Sequence, residues 1–459
     1  MISYPITANP SFSGLIGVSQ ADITPPAGIY AKNWGAATHE TAEGLHKPLF
    51  LTCITFRSIG MDKPLVLIGA DLGWWKSADD EQFLRNGILS ETGLPAENLM
   101  FCLSHTHAGP SLFREDAGKP GGHLIELYLI EIRDKSISAI RRAMAAETMA
   151  TLTWNYGKCS LAVNRDLPEQ GKERLLVAMN PDQPADDTLL VGRITSPENT
   201  IIATIVNYAC HPTTLAWDNK LISPDYIGAM REMVETATGA PTLFLQGASG
   251  ELSPKEQYVG DTAIADRYGR QLGHAVLATL EDMLPAATGL SFQGAVESGA
   301  PLGIWAQTPI VPSQTIAYTL TEIPFILKDM PSLAEIEAEW AACTDAVTRE
   351  RLWRKRGIRK TVGDGRTSAM PLWTWRLGDS LLIGQPNEAY SDFQQQLRAR
   401  FEGKAVAVIN IVNGYAGYLP PENMYTRDTY AVWQTPFEAA SLELLIGKTI
   451  ETAQRILGE

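Results

Sequence analysis

The sequence predicts an α/β protein, a mixed β-sheet core packed with helices in a single large domain. Three observations predict it. Short β-branched runs ended by turn residues recur along the whole chain, helical periodicities separate most of them, and two pairs of runs follow each other too closely for a crossover. In chain order, 49–56, 65–71, 99–104, 201–209, 242–246, 381–384 and 405–412 read as buried strands. The helical patterns lie at about 79–92, 123–147, 225–238, 262–283, 331–358, 388–402 and 436–456. The pairs 151–160 with 175–180, and 372–376 with 381–384, read as antiparallel hairpins. No Ser/Gly-rich linker, charge block or internal repeat divides the chain, so residues 1–459 read as one domain. The stretch 299–314, with Pro301, Pro309 and Pro312 around Ile304-Trp305, reads as a flap, a subdomain seam or a long surface connection.

Composition removes several function classes. The chain carries 38 Lys plus Arg against 52 Asp plus Glu, a net charge of −14, which argues against nucleic acid as a partner. The one basic run, Arg351 to Lys360, follows Glu339 and Glu350 in a helical pattern and reads as a solvated helix face. No stretch approaches the roughly 20 apolar residues that span a bilayer, so no integral membrane association is expected. The N-terminus has neither a basic start nor a sustained apolar segment, and a cytoplasmic location is the expectation. Five cysteines without a Cys-x-x-Cys pair read as small buried hydrophobes rather than a disulfide frame or a thiolate zinc site. Eleven tryptophans are many, and Trp34, Trp74, Trp75, Trp217, Trp305 and Trp433 are candidates for an acyl-chain slot or a sugar platform as well as for core.

Of seven histidines, His39, His46, His123 and His274 stand alone. His274 reads as a packing residue within a helix; His46, before a strand, either lines a site or caps that strand. The other three lie at strand ends. Ser104-His105-Thr106-His107-Ala108-Gly109-Pro110 closes the strand that starts near Leu99. In an extended chain, residues i and i+2 project to one side, so both imidazoles would face one point. A second strand stops at Cys210-His211-Pro212. Two strand ends presenting imidazoles suit a catalytic zinc site, which takes about three N/O ligands and keeps one position open. A third strand runs into Gly247-Ala248-Ser249-Gly250-Glu251-Leu252-Ser253-Pro254, where glycines allow a close backbone approach to a ligand. A serine-hydrolase elbow fails there, because Glu251 stands where Gly-x-Ser-x-Gly needs glycine. Asp71 and Asp225 are the acidic positions at which the question of a second metal arises.

Assembled, these segments resemble the neutral (non-lysosomal) ceramidase family. Gly17-Val18-Ser19-Gln20-Ala21-Asp22-Ile23-Thr24-Pro25-Pro26 is similar to its opening, His105-Thr106-His107-Ala108-Gly109-Pro110 to its His-Thr-His-Ser-Gly-Pro, and Gly250-Glu251-Leu252-Ser253-Pro254 to its Gly-Asp-Val-Ser-Pro. Asn164-Arg165-Asp166, Pro386-Asn387-Glu388 and Asn413-Gly414-Tyr415-Ala416-Gly417-Tyr418 resemble its Asn-Arg-Ser, Pro-Gly-Glu and Tyr-x-x-Tyr segments in the same order. The resemblance implies a zinc ion held by His105, His211, Glu388 and a tyrosine, Tyr415 placed before Tyr418. It also implies His107, Arg165, Ser253 and Tyr425 around the reacting carbonyl. Without it, Glu388 reads as a helix N-terminal carboxylate and the two tyrosines as core aromatics. Departures are Ala108 for the family's serine, Asn387 for its glycine, and only about 40 residues after Tyr418, so that the family's C-terminal immunoglobulin-like domain is not expected here.

The expected activity is that of a zinc-dependent hydrolase cleaving an amide (N-acyl) or related bond with metal-activated water, on a small-molecule or lipid-like substrate. Ceramide, a small soluble lactone or ester, and a sugar-linked metabolite are the alternatives on the same site. A binding protein that retains the fold without turnover is the reading from another class.

Overall fold

The computed structural model describes residues 4–459. Its largest element is an eight-stranded mixed sheet. The strands are β1 (Ser11–Asp22), β2 (Phe50–Arg57), β3 (Leu65–Ala70), β4 (Leu99–Leu103), β5 (Thr148–Lys158), β6 (Thr188–Thr195), β7 (Ile201–Tyr208) and β8 (Thr242–Gln246), in the spatial order β8-β7-β6-β5-β1-β2-β3-β4. A second sheet has the order β9 (Ile316–Ile326), β10 (Thr367–Leu377), β11 (Ser380–Gly384) and β12 (Ala405–Ile409).

Period-two alternation explains the layering. Along β3, Leu65 and Leu67 face the second sheet and pack with Trp373, Trp375, Leu382 and Ala407. Val66 and Ile68 face the other way, onto helices α1 (Ala78–Thr92) and α2 (Ile125–Ala145), through Leu84, Ile88, Leu129 and Ile132. The far half of the large sheet is covered by α3 (Tyr226–Thr238) and α4 (Thr262–Glu281). The outer face of the small sheet is covered by α6 (Ala346–Val362), α7 (Asp392–Arg400) and α9 (Ser441–Leu457). The result is four layers, helix, sheet, sheet, helix.

Within these two sheets three strand pairs are parallel, and each is bridged by a helix: β3 to β4 by α1, β7 to β8 by α3, and β11 to β12 by α7. The large sheet curls until its two edges meet. Gly69 on β3 makes this possible, because a Cβ there would stand 2.8 Å from the Phe244 carbonyl on β8. Backbone hydrogen bonds then tie the carboxyl ends together, Asn410 N to Gln246 O (2.9 Å) and Leu103 N to Ile411 O (3.3 Å). All three parallel pairs therefore end at one place.

Several expectations change. The hairpin at 372–376 and 381–384 is present as β10 and β11. The one at 151–160 and 175–180 is not: β5 pairs with β1 and β6, and Leu175–Val177 pairs with Asp166–Pro168. The helix expected over 331–358 is two, α5 (Leu333–Ala342) and α6, because Asp345 accepts from Thr348 N and starts a new helix. The stretch 299–314 contains a strand, Pro301–Pro309, paired with Thr288–Glu297; its prolines stand at the strand ends, where a missing N–H does no harm. Helix α7 begins four residues after Glu388, so the macrodipole reading of that carboxylate does not hold. No helix among the described residues is long and apolar enough to cross a membrane.

Candidate active site

His105 and Trp74 follow the ends of β4 and β3, His211 and the Gly250–Ser253 stretch follow β7 and β8, and Glu388, Tyr415 and Tyr418 follow β11 and β12. His105, His211 and Glu388 thus come from the carboxyl ends of three different parallel pairs, where open α/β sheets place their sites, and the two tyrosines share the pair of Glu388.

The histidines converge, by a different route from the one expected. β4 ends at Leu103, and His105 has φ of +69°, in the left-handed region. The i, i+2 argument for an extended strand does not apply; a turn brings the His105 and His107 rings to 4.9 Å instead. Such a backbone is costly for a non-glycine residue and is held here by His105 N donating to Leu72 O (2.9 Å). One nitrogen of each of His105, His107 and His211 can be chosen so that all three lie within 4.8 Å of one another.

Hydrogen bonds fix how two of the rings face. His211 Nδ1 lies 2.6 Å from the Ser249 carbonyl, and His105 Nδ1 lies 3.3 Å from the Gly73 carbonyl. Carbonyls only accept, so both Nδ1 atoms carry the proton and both Nε2 atoms present lone pairs. Those lone pairs point at the buried Glu388 carboxylate, whose Oε2 is 2.7 Å from His211 Nε2 and 3.4 Å from His105 Nε2. Burial, reinforced by Arg165, lowers His211 to about 4.

Tyr415 donates to Glu388 Oε1 (2.8 Å) and orients the carboxylate. Tyr418, whose hydroxyl is 3.4 Å from His211 Nε2, stands nearer the imidazole nitrogens. Arg165 donates to the Gly250 carbonyl (2.7 Å) and to the Tyr418 hydroxyl (3.1 Å). His107 lies between the Trp34 and Trp74 rings, at 5.0 and 4.7 Å, and neither of its nitrogens has a hydrogen-bond partner among the described residues. Burial first, then the neighbouring imidazoles, lower its pKa well below the usual value. Ser253 Oγ is buried and likewise without a partner, next to Leu252, whose carbonyl accepts from His211 N (3.0 Å).

Other candidates lie apart. The Tyr425 hydroxyl donates to the Phe437 carbonyl (3.2 Å) and its ring faces Lys328, so the structure brings no Tyr425 contact to the histidines. His46 bonds Ser223 and pairs with Asp266. Asp71 is held by Arg231 in a bidentate pair, and Asp225 caps α3 while accepting from Leu215 N, so both carboxylates are already occupied by protein donors.

A cavity opens beside the imidazoles, lined by His105, His107, Glu388, Tyr418 and Tyr430 together with Trp74, Lys76, Trp353 and Arg354. Arg354, Arg356 and Lys360 line it from α6, and the solvated-face reading of the 351–360 run is corrected accordingly. The overlooked signal is the spacing of Trp353, Gly357, Ile358 and Thr361, a helical stripe turned inward.

No protein-family model matches the chain, and no curated protein matches it in sequence. Among solved structures it is similar to one described as a ceramidase complexed with C2, with a TM-score of 0.69 and 17% identity over 98% of this chain and 76% of that one. It is also similar to the neutral ceramidase from Pseudomonas aeruginosa, with a TM-score of 0.66 and 18% identity over 98% of this chain and 75% of that one. The chain has a neutral-ceramidase-like fold.

Proposed function

We propose that the chain is a metal-dependent hydrolase of an amide (N-acyl) or related acyl bond, with zinc held by His105, His211 and Glu388 and with Tyr418 ahead of Tyr415 as the fourth ligand. One observation carries the proposal. Two imidazole lone pairs and a carboxylate, all acceptors, converge in a buried site with their far sides tied to carbonyls or to Tyr415. Acceptors packed in this way repel one another unless a cation lies among them; Arg165 Nη2, 3.2 Å from His211 Nε2, meets one lone pair and leaves His105 Nε2 without a donor among the described residues, and the N/O donor set suits zinc. The two similar structures, both described as ceramidases, support an acyl amide as the bond cleaved.

When bound, zinc supplies Lewis-acid polarisation and a nucleophile at neutral pH. The protein's own groups do the rest. His107, neutral and with both nitrogens free of protein partners, takes a proton and returns it to the leaving group. Arg165 holds the Tyr418 hydroxyl in place and, with it, favours negative charge developing on the carbonyl oxygen. Ser253 offers a hydroxyl with no competing protein partner. Trp34 and Trp74 keep water from the far faces of the His107 ring.

Metal analysis of the purified protein should find about one zinc per chain, and His105→Ala with His211→Ala should lose it together with all hydrolysis of N-acyl reporters. His107→Ala should keep the metal and lose about 10²–10⁴ in rate. Full activity after removal of metal by a chelator would overturn the reading, and loss of metal in His107→Ala would make His107 a ligand.

A further inference from the structure

We infer that the cavity selects substrates bearing a carboxylate close to the scissile bond, recognised by Lys76 and Arg354. The inference rests on the hydrolase reading for the identity of the bond cleaved, but not for the recognition itself. Four cations, Lys76, Arg354, Arg356 and Lys360, line the cavity, whose one carboxylate is Glu388, already engaged by the imidazoles. The acids that balance these cations approach from behind: Glu115, Asp116 and Glu350 line a neighbouring cleft rather than this cavity. Lys76, Arg354 and Arg356 line both spaces and form the wall between them, while these three acids line only the neighbouring cleft.

Arg356 and Lys360 both bond Glu115, at 2.7 and 2.6 Å, and have little left to offer a ligand. Lys76 differs. Among the described residues no carboxylate lies within salt-bridge distance of its Nζ; its protein partner is Ser111 Oγ at 3.3 Å, which in turn donates to Asp116 (2.8 Å). The ammonium lies 5.6 Å from the Trp74 ring centre and 5.2 Å from that of Trp353, which fixes its position while leaving donor hydrogens free. Arg354 stands close enough for its charge to oppose that of Lys76, and it uses one edge on Glu350 (3.0 Å) and Tyr430 (2.9 Å). Gly357 allows this closeness, since its Cβ would come within 3.0 Å of the Lys76 carbonyl, so a bulkier residue would hold α6 away. Burial lowers Lys76 to about 8, which leaves it charged at neutral pH. An entering anion would meet the Lys76 ammonium and ease its repulsion from Arg354, whereas a neutral lipid amide would leave the ammonium without a carboxylate partner. The same cavity reaches His105, His107 and Glu388, so an N-acyl amino acid fits its polarity.

The test compares N-octanoylglycine with its methyl ester by calorimetry on the intact protein. The acid should bind about tenfold more tightly or better, as expected for a charge-assisted contact. Lys76→Met and Arg354→Met should each shrink that ratio, and Lys76→Arg should preserve it. If a variant fails to fold, the wild-type ratio still decides. Equal affinity for acid and ester overturns the inference and leaves the hydrolase reading standing. An unchanged ratio in Lys76→Met overturns the assignment to that residue. Selective binding of the acid without any hydrolysis would instead remove the hydrolase reading and uphold the recognition.

Discussion

Replacing Asp71 by asparagine should destabilise the whole protein. The carboxylate sits at the end of β3, almost wholly buried, and receives Arg231 Nη1 and Nη2 at 2.6 and 2.7 Å and Phe50 N at 2.9 Å. Asparagine keeps one acceptor but removes the charge, so Arg231 on α3 is left as a buried cation with no counterion. Breaking a buried pair from one side costs about 3–5 kcal/mol. An unfolding entropy of about 2.1 cal/mol/K per residue gives roughly 1 kcal/mol/K for a chain of 459 residues. The melting temperature should then fall by about 4 °C, read from tryptophan fluorescence or calorimetry. The double variant Asp71→Asn, Arg231→Met removes the stranded charge and should recover most of the loss, with about 1 kcal/mol remaining for the hydrogen bonds of Phe50 N and its neighbours. The reasoning is refuted if the single variant loses less than about 1 kcal/mol, or if the double variant is no better than the single. The effect should also reach the site, since Leu72 and Gly73, next in the chain, supply the carbonyls that hold His105.

Glu251 is pushed up to about 8 by burial, against hydrogen bonds from Ser391, so the folded protein keeps it protonated at neutral pH while the unfolded chain ionises near 4.5. Below about pH 4.5 neither state carries the charge; between there and about 8 the unfolded state alone releases the proton, so this group makes the fold less stable as pH rises. Glu251→Gln should therefore gain on the wild type in urea melts across pH 5 to 8, and a constant difference would contradict the assignment. Gly69→Ala drives a methyl against the Phe244 carbonyl and should cost about 1–3 kcal/mol in the same melts. Neutral behaviour there would mean that the sheet edges do not meet as described.

The strands and helices that carry the site were legible because each is a short apolar run between clear breakers, as with 242–246 followed by Gly247. β1 was not, because Gly14, Gly17 and three serines interrupt its apolar pattern. The His-x-His and His-Pro segments were readable as ligand candidates from residue type alone. Their geometry was not, since the left-handed turn at His105 depends on the Leu72 carbonyl, supplied from another strand end. Tyr415 and Tyr418 could not be ranked from spacing; only the folded arrangement sets one hydroxyl on Glu388 and the other beside His211. The 351–360 run misled because charge alone does not say which face of a helix is wet, and here the stripe of Trp353, Gly357, Ile358 and Thr361 on the same helix brings Arg354 and Arg356 to the cavity.

The convergence of three strand pairs has a consequence for how the protein matures. His211 and Glu388 are 177 positions apart, on different sheets, and meet only after those sheets have docked. Contacts of such long range form late and slowly. A chain with only its first sheet formed would present the imidazoles but not the carboxylate, and would grip a metal ion weakly. On the proposed metal site, tight metal uptake would mark the completion of folding, and finished molecules would be loaded in preference to partly folded ones.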